Sequence, residues 1–213
     1  MTRLDLLDWA DVAAIGVVAR LHYPADYPRL VHRSLVRSRW DDHRRIVADA
    51  LRSAYEAVSA KVGPGEAHMA NVQDVARYFL RLSQPDEGDF VSNLKLQKLV
   101  YYAQGFHLAI FGRPLFDAQI HAWEHGPVVD SLYHQYKGHG SAAIPCPDAF
   151  DSEAVLTAEE RSLLDDVWDA YGQFSAWKLR NMTHDEPPWK DTPRGFVIDH
   201  ETMREYFSTL LRS

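Results

Sequence analysis

From Asn93 to Gly112 the residues Leu96, Leu99, Val100, Ala103, Phe106, His107 and Ile110 recur at the spacing of one helix face, and Gly112 and Pro114 stop the run. No other stretch constrains the fold as strongly, because so long an apolar stripe has to be covered by neighbours. This is the expected central helix. Upstream, Asn71 with Asp74 three residues on starts a helix whose buried stripe is Val72, Val75, Ala76, Phe79 and Leu80, ending before Pro85. Downstream, Pro127 is placed to open a helix carrying Val128, Val129, Leu132, Tyr133 and Tyr136, closed by Gly138. Thr157 and Glu160 form a capping box ahead of Leu163, Leu164, Val167, Trp168 and Tyr171. A shorter helix from about Ser175 to Thr183, a turn at Pro187 and Pro188, and a last helix using Met203, Tyr206, Phe207, Leu210 and Leu211 complete the series. Ile120 to Trp123 alternates weakly, as a short strand would. The expected fold class is mainly α: a compact helical domain with room for one short strand pair and an N-terminal helical extension.

The extension is set apart at Val62 to His68, where Gly-Pro-Gly-Glu breaks any helix. Residues 1–67 carry ten Lys/Arg against nine Asp/Glu, a net of +1, whereas the remaining 146 carry thirteen against twenty-one, a net of −8. Two units are therefore expected, 1–67 as a helical extension and 68–213 as the main domain. With 46% hydrophobic and 25% charged residues there is enough apolar material for a core, which excludes collagen-like, mucin-like and disordered classes for the bulk of the protein. The single cysteine, Cys146, excludes an intrachain disulfide framework and a multi-Cys metal site. No apolar run reaches the roughly 18 residues that a membrane helix needs, and Asp5, Asp8 and Asp11 stand where a signal peptide would be uncharged. The cytoplasm is the expected compartment.

Signatures of common enzymes are missing: there is no GxxxxGK[ST], GxGxxG, HExxH or GxSxG. Of the eleven histidines, His121 and His125, followed by His134 and His139, could be drawn around a metal, but Gly126 and Pro127 interrupt the helix that such a pair requires. Cys146 sits between two prolines with no basic neighbour to activate it. Asp165, Asp166 and Asp169 suit a solvated helix face. No catalytic group, metal or cofactor is expected.

Two segments go beyond amphipathic patterning. In Leu94-Lys95-Leu96-Gln97-Lys98-Leu99-Val100-Tyr101-Tyr102-Ala103-Gln104-Gly105, polar and amphipathic groups crowd beside the buried stripe. Leu179-Arg180-Asn181-Met182-Thr183-His184-Asp185-Glu186-Pro187-Pro188-Trp189 ends a helix in a Thr-His turn and pins an indole with two prolines. Between them lies Ala122-Trp123-Glu124-His125-Gly126-Pro127-Val128-Val129. In this order and spacing the three segments resemble the Panacea domain, formerly a domain of unknown function, found in phage-associated proteins and in antitoxins of the SocA type. The resemblance runs from about Met69 to the C-terminus.

That resemblance implies a mainly helical protein that neutralises a cognate toxin by binding it, and an adaptor that presents the toxin to the ClpXP protease. Carried onto this sequence, it implies toxin-binding roles for Lys95, Lys98, Tyr101 and Tyr102, for Trp123, and for Thr183, His184 and Trp189. Lys95, Lys98 and Tyr102 fall on one side of the central helix and suit an exposed interface rim, while Gly126, Pro127 and Trp189 suit backbone and core roles better than contact with a partner. An acidic body favours a protein partner over nucleic acid. The alternatives are a DNA-binding regulator of its own operon, using the Arg29–Arg45 stretch with Arg33, Arg37, Arg39, Arg44 and Arg45, and an enzyme using Thr183, His184 and Asp185. Asp41, Asp42 and Asp49 close to the arginines weaken the first, and the lack of a nucleophile weakens the second.

Overall fold

In the computed structural model, residues 68–83, 90–146 and 149–211 are described. The expected N-terminal extension and its arginine stretch lie outside them. The described residues are mostly helical, with one two-stranded antiparallel sheet. In sequence order the elements are α1 (Val72–Leu82), α2 (Asn93–Phe111), β1 (Ile120–Trp123), β2 (Gly126–Val129), α3 (Asp130–Tyr136), α4 (Ser152–Val155), α5 (Ala158–Val167), α6 (Ala176–Asp185), α7 (Pro187–Lys190) and α8 (His200–Leu211).

Helix boundaries follow the punctuation of the sequence. Asn71 caps α1 by accepting from the Gln73 N–H at 2.9 Å, and Asp74 pairs with Arg77 instead of closing a box. Ser92 caps α2, and Gly112 ends it in the left-handed conformation at φ 66°. Thr157 and Glu160 form the expected reciprocal box: the Thr157 N–H donates to Glu160 Oε2 at 2.8 Å, and the Glu160 N–H donates to Thr157 Oγ1 at 3.2 Å. Past α5 the winding loosens into a π turn over Trp168–Gly172, which delivers Tyr171 to the core.

Two expectations need correction. Pro127 does not open a helix. Gly126–Val129 pairs with β1 in the register Ile120↔Val129 to Trp123↔Gly126, and α3 begins only at Asp130. Two β-branched valines favour the strand, and Pro127 costs no ladder bond because its position calls for no donor. The Pro187-Pro188 segment is likewise a one-turn helix, since proline at the first helical positions gives up N–H groups that have no intrahelical partner.

α2 is surrounded. It lies against α1, α5, α6 and β2, and every residue from Leu96 to Leu108 is buried. Its aromatic side joins a cluster in which Tyr102 stacks on Tyr171 at 3.9 Å between ring centres, while Phe106 and Tyr101 meet Phe207 of α8 edge-on at 4.9 and 5.5 Å. Phe207 can approach because residue 105 is glycine: a Cβ there would stand 2.2 Å from the Phe207 ring. Gly105→Ala is expected to lower the urea unfolding midpoint by an amount equivalent to roughly 1–3 kcal/mol, the usual cost of overpacking, despite alanine's better helix propensity. An unchanged or higher midpoint would mean that the ring repacks freely.

Candidate functional site

The three segments singled out in the sequence meet at one place. Lys98, fully buried in the middle of α2, donates from Nζ to the Pro127 carbonyl at 2.8 Å. A Cβ on Gly126, whose φ is 100°, would stand 2.8 Å from both Lys98 Nζ and Thr183 Oγ1. Glycine at this position therefore lets helix α2, strand β2 and helix α6 close on one another. Thr183 Oγ1 donates to the Arg180 carbonyl at 2.9 Å, and Trp189 Nε1 donates to the Trp123 carbonyl at 2.9 Å, tying the third segment to the second. The Trp189 indole is stacked by the His184 ring at 3.5 Å and by the Arg194 guanidinium at 3.4 Å.

The expectation of an exposed rim on α2 is overturned. Lys95, Lys98, Tyr101 and Tyr102 are all buried, as are Thr183 and Trp189, and among the expected partner-facing residues only Trp123 and His184 keep part of their surface. The reason lies in what the polar groups bond. Tyr102 donates to Glu186 Oε1 at 3.0 Å, and Lys95 Nζ sits 5.4 Å from the Trp168 ring. Gln97 accepts the Val129 N–H at 2.9 Å, and Gln104 accepts the Leu115 N–H at 2.9 Å while donating to the Phe116 carbonyl at 3.0 Å. Once these partners are supplied from inside, a helix can be polar on one side and still be covered all round.

The solvent-facing part of the site is built by α6, by the β1–β2 turn and by the segment after α7. Trp177, Arg180 and His184 share one face of α6, at i, i+3 and i+7. Trp177 is 59% exposed, faces the His125 ring at 5.9 Å between centres, and carries the Arg180 guanidinium at 5.9 Å from its own. Phe196, 65% exposed, and Val197 lie beside β1, held by the Ala122 N–H donating to the Phe196 carbonyl at 2.9 Å. Sequence reading missed Trp177. Its signal was an indole out of phase with the buried Leu179, Met182 and Thr183 of the same helix. Cys146 is exposed, and among the described residues no three His, Cys, Asp or Glu groups are gathered to hold a metal ion.

Electrostatics set this region apart. Burial and then the Arg180 charge push the Lys98 ammonium down to about 7, and desolvation, followed by Arg180, Lys98, Arg194 and His125, pushes His184 down to about 4. Burial holds the Tyr101 hydroxyl well above its usual value, with Glu186 adding to the effect.

Comparison with known proteins agrees with this layout. Residues 96–190, which run from α2 through Trp189, match the family described as Antitoxin SocA-like, Panacea domain. This stretch of the protein is thus similar to the Panacea domain of SocA-like antitoxins. Among curated relatives, Antitoxin SocA of Caulobacter vibrioides (strain NA1000 / CB15N) is 44% identical over 50 residues, which is 24% of the present sequence and 27% of that protein. The match therefore spans about a quarter of the relative's length. No solved structure matches.

Lys98 gives a testable pH dependence. Its folded value of about 7 lies below the ordinary 10.5, so between these limits the unfolded polypeptide binds a proton that the folded one has released, and stability rises with pH across that window. One pH unit within the window is worth about 1.4 kcal/mol. From pH 7 to 9 a gain of roughly 2–3 kcal/mol is expected in chemical denaturation, and Lys98→Met should flatten that slope. An equal slope in both proteins would show that Lys98 is charged in the folded state throughout.

Proposed function

We propose that this protein is the antitoxin of a toxin–antitoxin pair, that it binds its cognate toxin directly, and that it serves as a proteolytic adaptor delivering the toxin to ClpXP. The observation that carries the reading is the family match over residues 96–190, whose three segments converge on Lys98, Gly126 and Thr183. In this reading the protein is not an enzyme, needs no cofactor and acts in the cytoplasm. No helix among the described residues is long and apolar enough to cross a membrane, which is compatible with that setting. Binding falls to the exposed aromatic and cationic surface of Trp177, Arg180, His184 and Phe196. Exposed aromatics beside arginine suit a protein interface, and the buried Lys98, Tyr101 and Tyr102 hold that surface in place. The toxin is a protein, and nucleic acid is not part of the recognition.

The test is co-expression with the product of the adjacent open reading frame. Growth is expected to be rescued, the two proteins to co-purify, and purified ClpXP to degrade the toxin faster in the presence of the antitoxin while the antitoxin itself persists. Toxin that is bound but protected would leave the antitoxin reading and remove the adaptor. Specific retention of the operon's promoter DNA at physiological salt, with no toxin complex, would replace both with the DNA-binding regulator. A truncated protein starting at Met69 is expected to fold cooperatively and still rescue growth; an inactive, insoluble truncation would make residues 1–67 integral to the domain.

A further inference from the structure

The outer face of α6 and the segment after α7 make one row of rings and charges. Trp177 stands at one end, 59% exposed, with the Arg180 guanidinium 5.9 Å from its ring centre. One turn further, His184 stacks at 3.5 Å on Trp189, whose indole also carries the Arg194 guanidinium at 3.4 Å. Phe196, 65% exposed, follows two residues later. Trp177, Arg180, His184, Arg194 and Phe196 thus form a strip, with the buried Trp189 under its middle.

This strip is an island in the charge of the domain. Residues 176–197 hold four Lys/Arg (Lys178, Arg180, Lys190 and Arg194) against three Asp/Glu (Asp185, Glu186 and Asp191), a net of +1, and Glu186 is buried against the Tyr102 hydroxyl. The rest of 68–213 holds nine against eighteen, a net of −9. Arg77, Arg113 and Arg204 each pair with a carboxylate. Among the described residues Arg180 donates instead to the Asn181 side chain, and Arg194 to the Trp189 and Thr192 carbonyls. A partner that brings both apolar and acidic side chains complements such a surface. Backbone groups along the strip are already engaged. Those of α6 and α7 serve their own turns, the Trp189 and Thr192 carbonyls receive Arg194, and the Phe196 carbonyl receives the Ala122 N–H. A segment arriving extended would bring N–H and C=O groups with no backbone partner here, whereas a helix arrives with its own already paired.

We propose that this strip docks one amphipathic helix of the toxin, with apolar residues at helical spacing seated on Trp177 and Phe196 and with Asp/Glu beside them bonded to Arg180 and Arg194. The inference rests on the antitoxin reading and adds the form and charge of the partner's contact.

The test uses the full-length protein co-expressed with the product of the adjacent open reading frame. The photo-crosslinking residue p-benzoylphenylalanine is placed at position 177, at position 196 or, as a control, at Glu153 of α4. Positions 177 and 196 are expected to capture one and the same toxin segment, its apolar residues recurring at i, i+3 or i+4 and i+7 with Asp/Glu beside them, and the control is expected to capture none of it. The pair Arg180→Glu and Arg194→Glu should raise the dissociation constant roughly tenfold or more, and Lys in place of the captured acidic residues should restore binding, which damage to the fold could not do. Helicity is read on a synthetic peptide of the captured segment, which requires no folding of the toxin. It should gain helical circular dichroism on binding, and a central proline should abolish the binding that alanine at the same position preserves. Toxin that binds without capture at 177 and 196, a captured segment that is basic or lacks helical spacing, no rescue by the Lys exchange, or a peptide that does not bind or that tolerates proline would each overturn the inference and leave the antitoxin reading intact. Failure of the wild-type protein to hold any toxin would sink the antitoxin reading, and this inference with it.

Discussion

The hydrogen bond from the Lys98 ammonium to the Pro127 carbonyl is the junction on which the domain depends. It crosses from the middle of the central helix to the second strand, and it forms where Gly126 leaves no Cβ in the way and Thr183 of α6 closes the third side. A charged group so deep in a protein is costly, and this cost shows as an ammonium whose proton is held far less tightly than usual. The geometry that keeps it there is correspondingly over-determined. Trp189 is bonded to the Trp123 carbonyl, and the helix that presents Thr183 also presents Arg180 and His184 to the outside.

α2 works by the same logic along its whole length. Asn93, Gln97, Lys98, Tyr102 and Gln104 each reach a different neighbour: the Tyr133 carbonyl, the Val129 N–H, the Pro127 carbonyl, Glu186, and the backbone at Leu115 and Phe116. Apolar contacts on the other side, chiefly Phe106 and Tyr101 against Phe207, supply burial without direction. The polar contacts supply the direction, fixing which loop and which strand lies at which turn of the helix. A polar network of this kind is a means of specifying one arrangement as much as a source of stability.

How much could be read in advance depended on whether a signal was local. The Thr157–Glu160 box, the end of α2 at Gly112, and the stripes of α1, α5 and α8 are written in residues a few positions apart, and they stand in the structure as expected. The strand at Gly126–Val129 was hidden because its partners, β1 and the side groups of Gln97 and Lys98, come from elsewhere in the sequence. The same holds for the site. That the three segments belong together was legible from their order; which of their residues face solvent was not. Lys98 and Tyr102 look like surface groups until Pro127 and Glu186 are brought to them, whereas Trp177 stands on the side of α6 away from the buried Leu179, Met182 and Thr183.

The small sheet has one further property. On the outer side of β1, the backbone at Ile120 and Ala122 is occupied by residues 195–198, through the Phe196 carbonyl and the N–H groups of Gly195 and Ile198. On the outer side of β2, the Pro127 carbonyl and the Val129 N–H are taken by Lys98 and Gln97. Neither strand therefore offers a free ladder of donors and acceptors, the feature that templates adventitious strand pairing and that many peptide receptors exploit. The hairpin is closed to backbone recognition from both sides, and specificity at this surface has to be written in side chains.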